Sequence, residues 1–379
     1  MRFVDEFRDG ELAAGLAAAI AREAQPRRSY RFMEFCGGHT HAISRYGVAD
    51  LLPSNLRMIH GPGCPVCVLP IGRIDQAIRL ALERGVILCS YADTVRVPAS
   101  ENRSLLGARA LGADVRMVYS CADALRIARG NPLREVVFFA IGFETTTPPT
   151  ALAILRAAAE GLANFSVLCC HVLTPPAITG ILDAPAMREP GTARIDGFVG
   201  PAHVSTVIGT RPYERFAREF RKPVVIAGFE PLDVMQAILM LVRQVNDGRH
   251  EVENEFSRAV TRDGNAIAQQ RMAQVFEERE SFEWRGLGEL PRSALRIRAE
   301  YGAWDAERRF GLTYRPVPDH KACECAAILR GAKRPAECRL FGTVCTPRTP
   351  MGSCMVSSEG ACAAHYSYGR HQDAAALER

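Results

Sequence analysis

The sequence predicts an α/β protein with two parallel-sheet α/β domains and a small cysteine-rich domain. Short apolar runs rich in β-branched and aromatic residues alternate with helix-like segments from residue 10 to about residue 245, a pattern typical of parallel sheets covered by helices. The 379 residues exceed the length of one ordinary domain. Six of the thirteen cysteines lie between Cys323 and Cys362, in a segment rich in glycine and proline that cannot bury much core by itself.

The individual elements follow from the same alternation. Eight runs are predicted as strands: Tyr30–Phe35, Leu56–His60, Val86–Tyr91, Val115–Tyr119, Val136–Ile141, Phe165–Cys170, Ile195–Val199 and Val224–Ala227. Helix-like segments separate most of them, including Glu11–Gln25, Ile71–Arg84, Ser104–Leu111, Thr150–Glu160 and Leu232–Val245. Two smaller sheets suit this length better than one sheet of eight strands. We therefore expect domains at 1–120, 121–250 and 251–379, with charged helices over 247–280 and an irregular stretch over 281–320.

Composition narrows the class of protein. Lys and Arg exceed Asp and Glu by 47 to 42 and are scattered along the chain, so there is no clustered basic footprint for nucleic acid. No run approaches the roughly 18 apolar residues of a membrane span, and no signal peptide precedes the first helix. We expect a cytoplasmic protein that binds neither nucleic acid nor membrane. In the cytosol, thirteen cysteines favour metal binding or redox chemistry over a disulfide framework.

The C-terminal cysteines are the strongest single signal. Their spacing lacks the two CxxC pairs of a typical zinc site, and the turns between them suit thiolates placed around a cubane cluster. We therefore predict an iron–sulfur domain, with zinc and free thiols as the alternatives. Cys323 and Cys325 are not both expected to reach the metal, and the choice between Cys354 and Cys362 stays open. The candidate ligands are Cys325, Cys338, Cys345, Cys354 and Cys362.

Two further cysteine motifs lie in loops of the first domain. Cys64-Pro-Val-Cys67 is a CxxC placed just before a predicted helix start, which favours a thiolate; redox exchange is preferred to metal ligation. Cys36-Gly-Gly-His-Thr-His41 puts a thiol and two imidazoles within six residues. Cys36, His39 and His41 can ligate iron or pair as thiolate and base. The alternative is that the histidines cap the next helix.

The unusual loops all follow predicted strands. In parallel sheets, ligands bind beyond the carboxyl ends of the strands, so we expect these loops to converge on one cleft. Glu144, in the Gly142-Phe-Glu-Thr-Thr-Thr-Pro148 loop of the second domain, is a candidate acid or base. It can equally bind backbone N–H groups of its own loop. His171 and His203 are single loop histidines, for which a hydrogen-bonding role is preferred.

Taken in order, the motifs resemble those of the HypD family of [NiFe]-hydrogenase maturation proteins. They are Phe32-Met-Glu-Phe-Cys-Gly-Gly-His-Thr-His41, Gly61-Pro-Gly-Cys-Pro-Val-Cys67, Gly142-Phe-Glu-Thr-Thr-Thr-Pro148, Phe341-Gly-x-x-Cys-Thr-Pro347 and Gly352-x-Cys-Met-Val-Ser-Ser-Glu-Gly-x-Cys362. The resemblance runs from about residue 30 to residue 368. It implies two α/β domains and a smaller domain that carries a 4Fe–4S cluster.

The resemblance also implies a role. With the small protein HypC, the chain would hold a mononuclear iron on which two cyanides and one carbon monoxide are assembled. HypE, charged by HypF, would deliver cyanide, and the Fe(CN)2CO unit would pass to the hydrogenase large subunit. Cys36 would be the iron thiolate, His41 would tune that site, and Cys64 and Cys67 would be a redox pair fed by the cluster. The alternatives are an iron–sulfur disulfide reductase acting on a protein partner and a zinc-stabilised interaction protein.

Overall fold

The computed structural model describes residues 5–183 and 194–369, and it confirms an α/β fold with two parallel sheets. The strands are β1 (Tyr30–Glu34), β2 (Leu56–His60), β3 (Ile87–Ser90), β4 (Val115–Met117), β5 (Val136–Gly142), β6 (Phe165–His171), β7 (Gly197–Gly200), β8 (Val224–Ile226), β9 (Val252–Asn254), β10 (Phe276–Glu278), β11 (Ser281–Trp284), β12 (Gly288–Pro291) and β13 (Leu295–Ile297). All eight predicted strands are present, with bounds shifted by one or two residues.

The helices fill the connections between strands. They are α1 (Gly10–Glu23), α2 (Gly37–Arg45), α3 (Ile71–Glu83), α4 (Leu105–Ala110), α5 (Cys121–Gly130), α6 (Thr147–Ala159), α7 (Thr174–Asp183), α8 (Ala202–Ile208), α9 (Glu214–Glu219), α10 (Pro231–Asn246), α11 (Ala266–Val275), α12 (Ala306–Arg309), α13 (Cys325–Leu329) and α14 (Ala361–Ala364). Within the part of the chain that the structure describes, none of them is both long and apolar enough to cross a membrane.

Local chemistry sets where several helices begin. The Asp9 carboxylate accepts hydrogen bonds from the backbone N–H groups of Glu11 and Leu12, so α1 starts at residue 10. Ser120 and Asp123 form a capping box at the start of α5. Each cap satisfies backbone donors that the first helical turn leaves unpaired.

The two sheets draw their strands from interleaved parts of the chain. The first has the order β2-β1-β7-β8-β9 and the second the order β4-β3-β5-β6, and every pair in both is parallel. Strand pairing thus groups the chain differently from the predicted division at residues 120 and 250, because β3 pairs with β5 and β9 joins the first sheet. The local pattern used for that division carries no information on which distant strands pair. How far each domain extends stays a prediction.

Side chains that alternate along the strands fill three hydrophobic clusters. Met33 of β1 and Phe139 of β5 point into a central cluster shared by both sheets. The neighbouring Phe32 packs on the opposite face of the first sheet, against α1 and α10, and Phe138 packs on the opposite face of the second, against α5 and α6. The alternation follows from the two-residue repeat of a strand.

The cysteine-rich segment belongs to the central cluster. Cys345, Cys354 and Cys362 are buried in it together with Cys64 and Cys67. A segment that shares its core in this way is not marked off as a unit of its own. The cysteine-rich region is therefore present as predicted, but a separate domain is not confirmed.

The stretch between the two sheets and the cysteine-rich segment was predicted incorrectly. Residues 247–280 were expected to be charged helices, yet they contain strands β9 and β10 and only one helix, α11. Residues 281–320 were expected to be irregular, yet β11 pairs with β12, and β13 pairs with β10, in two antiparallel ladders. Each of these five short strands contains a charged residue and so lacks a continuous apolar run, and their pairing depends on contacts that a local pattern does not show.

Candidate functional site

Two cysteine loops meet at the carboxyl end of the first sheet. Cys36 follows β1 and caps the N-terminus of α2, while the loop from Gly61 to Cys67 follows the neighbouring strand β2. The Gly63 carbonyl accepts a hydrogen bond from the Gly37 N–H at 3.2 Å. A Cβ atom at Gly63 would lie 2.3 Å from the Cys36 backbone nitrogen. Only a residue without a side chain allows the two loops to approach this closely.

Cys64 and Cys67 are joined as a disulfide, with their Cα atoms 5.2 Å apart. Both are buried, at 3% and 0% exposure. The Cys67 N–H donates a hydrogen bond to the Cys64 sulfur at 3.2 Å. The CxxC is therefore in the disulfide form that a redox pair takes when it is oxidised, and it is shielded from solvent.

The CxxC also touches the cysteine-rich segment. The Ser353 hydroxyl donates to the Cys67 carbonyl at 2.6 Å. A Cβ atom at Gly360 would lie 2.3 Å from the Cys354 carbonyl oxygen and 3.0 Å from the Cys67 sulfur. The disulfide thus lies between the Cys36 loop on one side and the backbone around Cys354 on the other.

Five C-terminal thiols gather near one another. The Cys325 thiol is the largest cause that raises the pKa of Cys323 and of Cys362, and burial is the second. A Cβ atom at Gly352 would lie 2.5 and 2.6 Å from the Cys323 and Cys325 sulfurs. Burial raises the pKa of Cys345, with Cys325 and Cys323 adding to it. Thiols packed this way resist ionisation unless a cation offsets their charge.

This donor set fits a thiolate-bound metal centre by its chemistry. Cys325, Cys354 and Cys345 all act electrostatically on Cys362, and Cys325 also acts on Cys345. Cys338 instead contacts the Glu324 carboxylate, whose pKa it helps to lower. In residues 5–183 and 194–369, no three Cys, His, Asp or Glu side chains are arranged to hold a metal ion. Several of the predicted ligands thus interact with one another, and ligation of a metal by Cys325, Cys338, Cys345, Cys354 or Cys362 stays a prediction.

Cys36 lies in surroundings that favour its protonated form. Burial raises the pKa of its thiol well above the usual range, and the Glu359 and Glu34 carboxylates add to that effect. The backbone N–H groups of Gly38 and His39 oppose it. Metal binding to this sulfur therefore has to release a proton.

His39 is fixed by the first sheet and does not cap α2. Its Nε2 lies 3.0 Å from the carbonyl oxygens of both Ala227 and Gly228, so Nε2 carries the proton. Burial lowers the pKa of the ring, and the Phe229 ring packs on it at 5.0 Å between centroids. Its Nδ1 is buried and has no hydrogen-bond partner among the described residues. His39 is therefore a neutral imidazole with one bare lone pair.

His41 points elsewhere. Its ring meets Tyr368 edge to face at 5.4 Å between centroids, and its buried Nδ1 also lacks a hydrogen-bond partner within the described ranges. Positions two apart on a helix face different directions, so His39 contacts the loop after β8 while His41 contacts the end of the cysteine-rich segment. Joint ligation of one iron by these two rings stays a prediction.

Glu144 lies in the loop after β5 of the second sheet. Its carboxylate accepts hydrogen bonds from the Thr174 N–H and the Thr174 hydroxyl, each at 2.9 Å. Burial raises its pKa to about 7. Thr174 begins α7 and lies outside the Glu144 loop, so these two bonds do not confirm the loop-binding alternative, and a catalytic role for Glu144 stays a prediction. His171 contacts the Thr150 hydroxyl at 3.0 Å through its Nε2, in line with a hydrogen-bonding role.

Comparison with known proteins identifies the family. The HypD family model, described as the hydrogenase formation hypA family, matches residues 11–369. The chain belongs to the HypD family. Its relatives in that family include the hydrogenase maturation factor HypD of Cupriavidus necator, 73% identical over 373 residues and covering 98% of both chains.

Other HypD relatives are similar over their full lengths. The hydrogenase maturation factor HypD of Rhizobium leguminosarum bv. viciae is 68% identical over 373 residues, with 98% of this chain and 97% of the relative covered. The HypD protein of Escherichia coli (strain K12) is 46% identical over 380 residues, with 99% and 100% covered. The chain is therefore a member of a family of hydrogenase maturation factors.

In this HypD chain, Glu34 is a site residue that the sequence motifs did not reveal. Its carboxylate is fully buried at the end of β1. It accepts hydrogen bonds from the Cys36 N–H at 2.9 Å and from the Thr40 hydroxyl, and the His60 Nδ1 lies 2.9 Å away. An acidic residue inside an otherwise apolar strand, two positions before the motif cysteine, was the signal available. Glu34 fixes the backbone from which Cys36 projects.

Proposed function

We propose that this protein is the scaffold that, with a HypC-type small partner, assembles the Fe(CN)2CO unit of [NiFe]-hydrogenase. The observation that carries the proposal is the direct packing of the Cys36 loop on the Cys64–Cys67 loop, which in turn touches the backbone at Cys354. Under this proposal, the iron site, the two-electron thiol pair and the cysteine-rich segment would be neighbours along one path. The unit would be built here and then passed to the hydrogenase large subunit.

Cys36 supplies the thiolate for the iron substrate. Soft sulfur ligands suit low-valent iron that carries cyanide and carbon monoxide, and a HypC thiolate would complete the pair. The buried thiol holds its proton tightly. It would therefore lose that proton only when the iron cation binds and stabilises the thiolate. His41, on α2, orients or tunes this site, and His39 on the same helix offers a bare Nδ1 lone pair as a neutral base.

The Cys64–Cys67 pair supplies electrons for cyanide release. HypE, charged by HypF, delivers the carbon and nitrogen as a thiocyanate-like group. The two thiols would reduce that group by two electrons, so that the S–C bond breaks and a thiol and hydrogen cyanide leave. The pair then closes as the disulfide that the structure contains.

The cysteine-rich segment is the candidate holder of a 4Fe–4S cluster. Cys325, Cys345, Cys354 and Cys362 would ligate it, with Cys338 as the fifth candidate. When bound, the cluster would return electrons to the closed disulfide. The contribution of the protein is the short path from Cys354 to Cys67, which Gly360 and Ser353 keep free of intervening side chains.

Infrared spectroscopy of the anaerobically isolated protein with its HypC partner tests the proposal. We expect cyanide and carbon monoxide bands from the pair, together with a brown colour from the cluster. Cys36→Ala should abolish the bands and leave the colour. Cys121→Ala, at a buried cysteine that begins helix α5 on the outer face of the second sheet, is the matched control and should keep both. Bands that survive in Cys36→Ala would remove Cys36 from the iron site.

The same sample separates the alternatives. A general disulfide reductase needs a protein disulfide to reach Cys64 or Cys67, and the scaffold needs the HypE-borne group to reach the same two cysteines, so their burial does not separate the two functions. Rapid turnover of disulfide substrates by protein that never binds extra iron would establish that function instead. Zinc without iron or sulfide after anaerobic purification would indicate a zinc-stabilised interaction protein.

A further inference from the structure

A groove runs along the outer edge of the first sheet, away from the thiols. Its volume is about 410 Å³, and all five residues of β2 line it. Among the described residues β2 pairs only with β1, so its other edge faces the groove. One wall is formed by α2 and the turn after it, and the other by residues 328–335 of the cysteine-rich segment.

The backbone groups that face the groove can be derived from the pairing of β2 with β1. The Tyr30 N–H donates to the Asn55 carbonyl at 2.8 Å, and the Gly61 N–H donates to the Glu34 carbonyl at 2.9 Å. In a parallel pair, alternate residues turn their N–H and C=O groups toward the partner. Arg57 and Ile59 therefore pair inward, whereas Met58 and its alternate neighbours turn outward.

These outward groups have no partner in the described structure. No hydrogen bond from residues 5–183 or 194–369 takes the Leu56 carbonyl, the N–H and C=O of Met58, or the His60 N–H. They form a short ladder of donors and acceptors at an open sheet edge. Such an edge is the template on which an extended chain adds as a further strand.

The two walls differ in character. Ile43, Leu52 and Met58 make one side mainly apolar, although Ser44 and Asp50 also line it. On the other side, Lys333 is paired with Glu324 and Arg334 with Glu337. Arg57 has neither a hydrogen bond nor an ion pair with any described residue.

The side of the groove that carries Arg57 is positively charged, because other arginines lie near the Arg57 guanidinium. Partial burial, then the neighbouring Arg334 and, more weakly, Arg31 lower the pKa of the Arg57 guanidinium, and the Glu337 carboxylate, which is itself paired with Arg334, opposes this only in part. A negatively charged side chain placed there would relieve this repulsion. The groove therefore offers an unpaired cation opposite an apolar wall, along one sheet edge.

We propose that this groove binds an extended segment of a partner protein, with alternating apolar and acidic residues, as an added strand on β2. In a strand, successive side chains point to opposite faces, so apolar side chains would meet Ile43 and Leu52 while carboxylates would meet Arg57. A second copy of this chain is a poor occupant because it would bring its own Arg57, Lys333 and Arg334 to the same basic wall.

The groove ends beside the thiol loops. His60, its last strand residue, holds Glu34 through Nδ1 at 2.9 Å, and Glu34 holds the Cys36 N–H. A partner docked here would be anchored next to the cysteine site without covering it. Binding to the groove does not depend on iron, so its failure and the failure of the scaffold proposal are distinguishable.

Calorimetry with a synthetic peptide tests the proposal on the full-length protein. The probe is an acetylated and amidated hexapeptide of alternating valine and glutamate. We expect it to bind at least about tenfold more tightly than its valine–lysine counterpart. Methylation of alternate backbone nitrogens, which removes the N–H groups that pair with the edge, should weaken it by a similar factor. Absence of binding at millimolar peptide, or equal binding of both peptides, would overturn the proposal.

Two variants address the groove itself. Met58→Pro removes an outward N–H while leaving the inward ladder intact, which an edge strand tolerates, and it should abolish peptide binding without changing the thermal midpoint greatly. Arg57→Glu should reverse the preference between the two peptides. Arg109→Glu, on the exposed surface of α4, is the charge-matched control and should change neither.

Hydrogen exchange provides a second, independent readout. In the free protein the Met58 and His60 amides should exchange quickly, and the glutamate peptide should slow both. If they exchange slowly in the free monomer, other residues of this chain already cover the edge. If they become protected only on self-association that Met58→Pro abolishes, the occupant is a second copy. Either result would overturn the proposal.

Discussion

At the scale of single residues, the site combines buried acids with buried thiols. Glu34 has no exposed surface, and a carboxylate in that position is costly unless donors surround it. Three groups face it: the Cys36 N–H, the Thr40 hydroxyl and the His60 ring. The hydrogen-bonded Glu34 carboxylate thus fixes the starts of two loops, one at Cys36 and the other at Gly61, just after His60.

Glu34→Gln should show how much this arrangement stabilises the protein. The amide keeps the shape but presents an NH2 group to surrounding donors, so at least one buried group loses its partner. We expect the free energy of unfolding to fall by about 1–3 kcal/mol, measured by urea denaturation. Glu337→Gln, in a more exposed pair with Arg334, is the matched control and should change it by less than about 0.5 kcal/mol. Equal effects would mean that Glu34 has no special role.

Glu144 leads to a prediction about pH. Burial raises its pKa from 4.5 to about 7, so the folded protein binds this proton more tightly than the unfolded chain does. Stability from this group is therefore present at low pH and is lost as pH rises from about 4.5 to about 7. Relative to wild type, Glu144→Gln should gain up to about 3 kcal/mol of unfolding free energy across that window, measured by urea denaturation at several pH values.

The control for that measurement is a carboxyl group whose pKa is lowered in the folded protein, whereas the pKa of Glu144 is raised. Arg129 lowers the pKa of the exposed Glu160, so any stability from Glu160 is lost only as pH falls below its ordinary range. Glu160→Gln should therefore show no pH-dependent difference from wild type between about pH 5 and about pH 8. A flat difference for Glu144→Gln as well would contradict the raised pKa.

Which residues the sequence reveals depends on how they act. Cys36, Cys64 and Cys67 stand in dense local motifs, and the structure places their loops in contact as expected. Glu34 and Ser353 stand within the quoted motifs, but their hydrogen bonds to His60 and to the Cys67 carbonyl reach other segments, so the local spacing does not show what they do.

At the scale of elements, the contact between the two cysteine loops depends on one glycine. Gly63→Ala would place a Cβ atom 2.3 Å from the Cys36 nitrogen and 2.5 Å from its Cα, and backbone atoms cannot move aside cheaply. We expect a loss of about 1–3 kcal/mol in unfolding free energy, and weaker infrared bands in the partner complex.

The matched control is a glycine with open space around it. A Cβ atom at Gly130, at the end of α5, would meet nothing within 4 Å. Gly130→Ala should be neutral or stabilising by up to about 1 kcal/mol. If Gly63→Ala behaves in the same way, the two loops are not held together by close backbone approach.

Elements were predictable where they were long and apolar. The eight principal strands have clear apolar runs, and the structure contains all of them. Sheet membership was not predictable, because the pairing of β1 with β7 joins segments separated by the whole second sheet. Strands β9 to β13 were missed because each is short and contains a charged residue, so no continuous apolar run marks it.

At the scale of the whole molecule, the cysteine-rich segment is part of the core between the sheets. Cys354 and Cys362 share the central cluster with Cys64 and Cys67. If a cluster is bound there, its removal should increase the local opening of the neighbouring CxxC loop as well as that of the ligand segment. We expect faster hydrogen exchange in residues 61–69 and 353–362 after the metal is removed by anaerobic chelation, measured by mass spectrometry.

The outer core provides the internal reference for that measurement. Helix α10 packs on the opposite face of the first sheet, in a cluster that contains no residue of the cysteine-rich segment. Its amides should exchange at the same rate with and without metal. Uniform acceleration throughout the protein would show global destabilisation rather than a local role for the metal.

The interleaved sheets also matter while the chain is being made. The second sheet is one continuous stretch from β3 to β6, but β1 cannot gain its inner neighbour until Gly197 has left the ribosome, because Phe32 pairs with that residue. At about 5–20 residues per second this delay is on the order of ten to thirty seconds. For that time the nascent chain exposes Cys36, Cys64 and Cys67 to cellular oxidants and metal ions, before the finished protein closes over them.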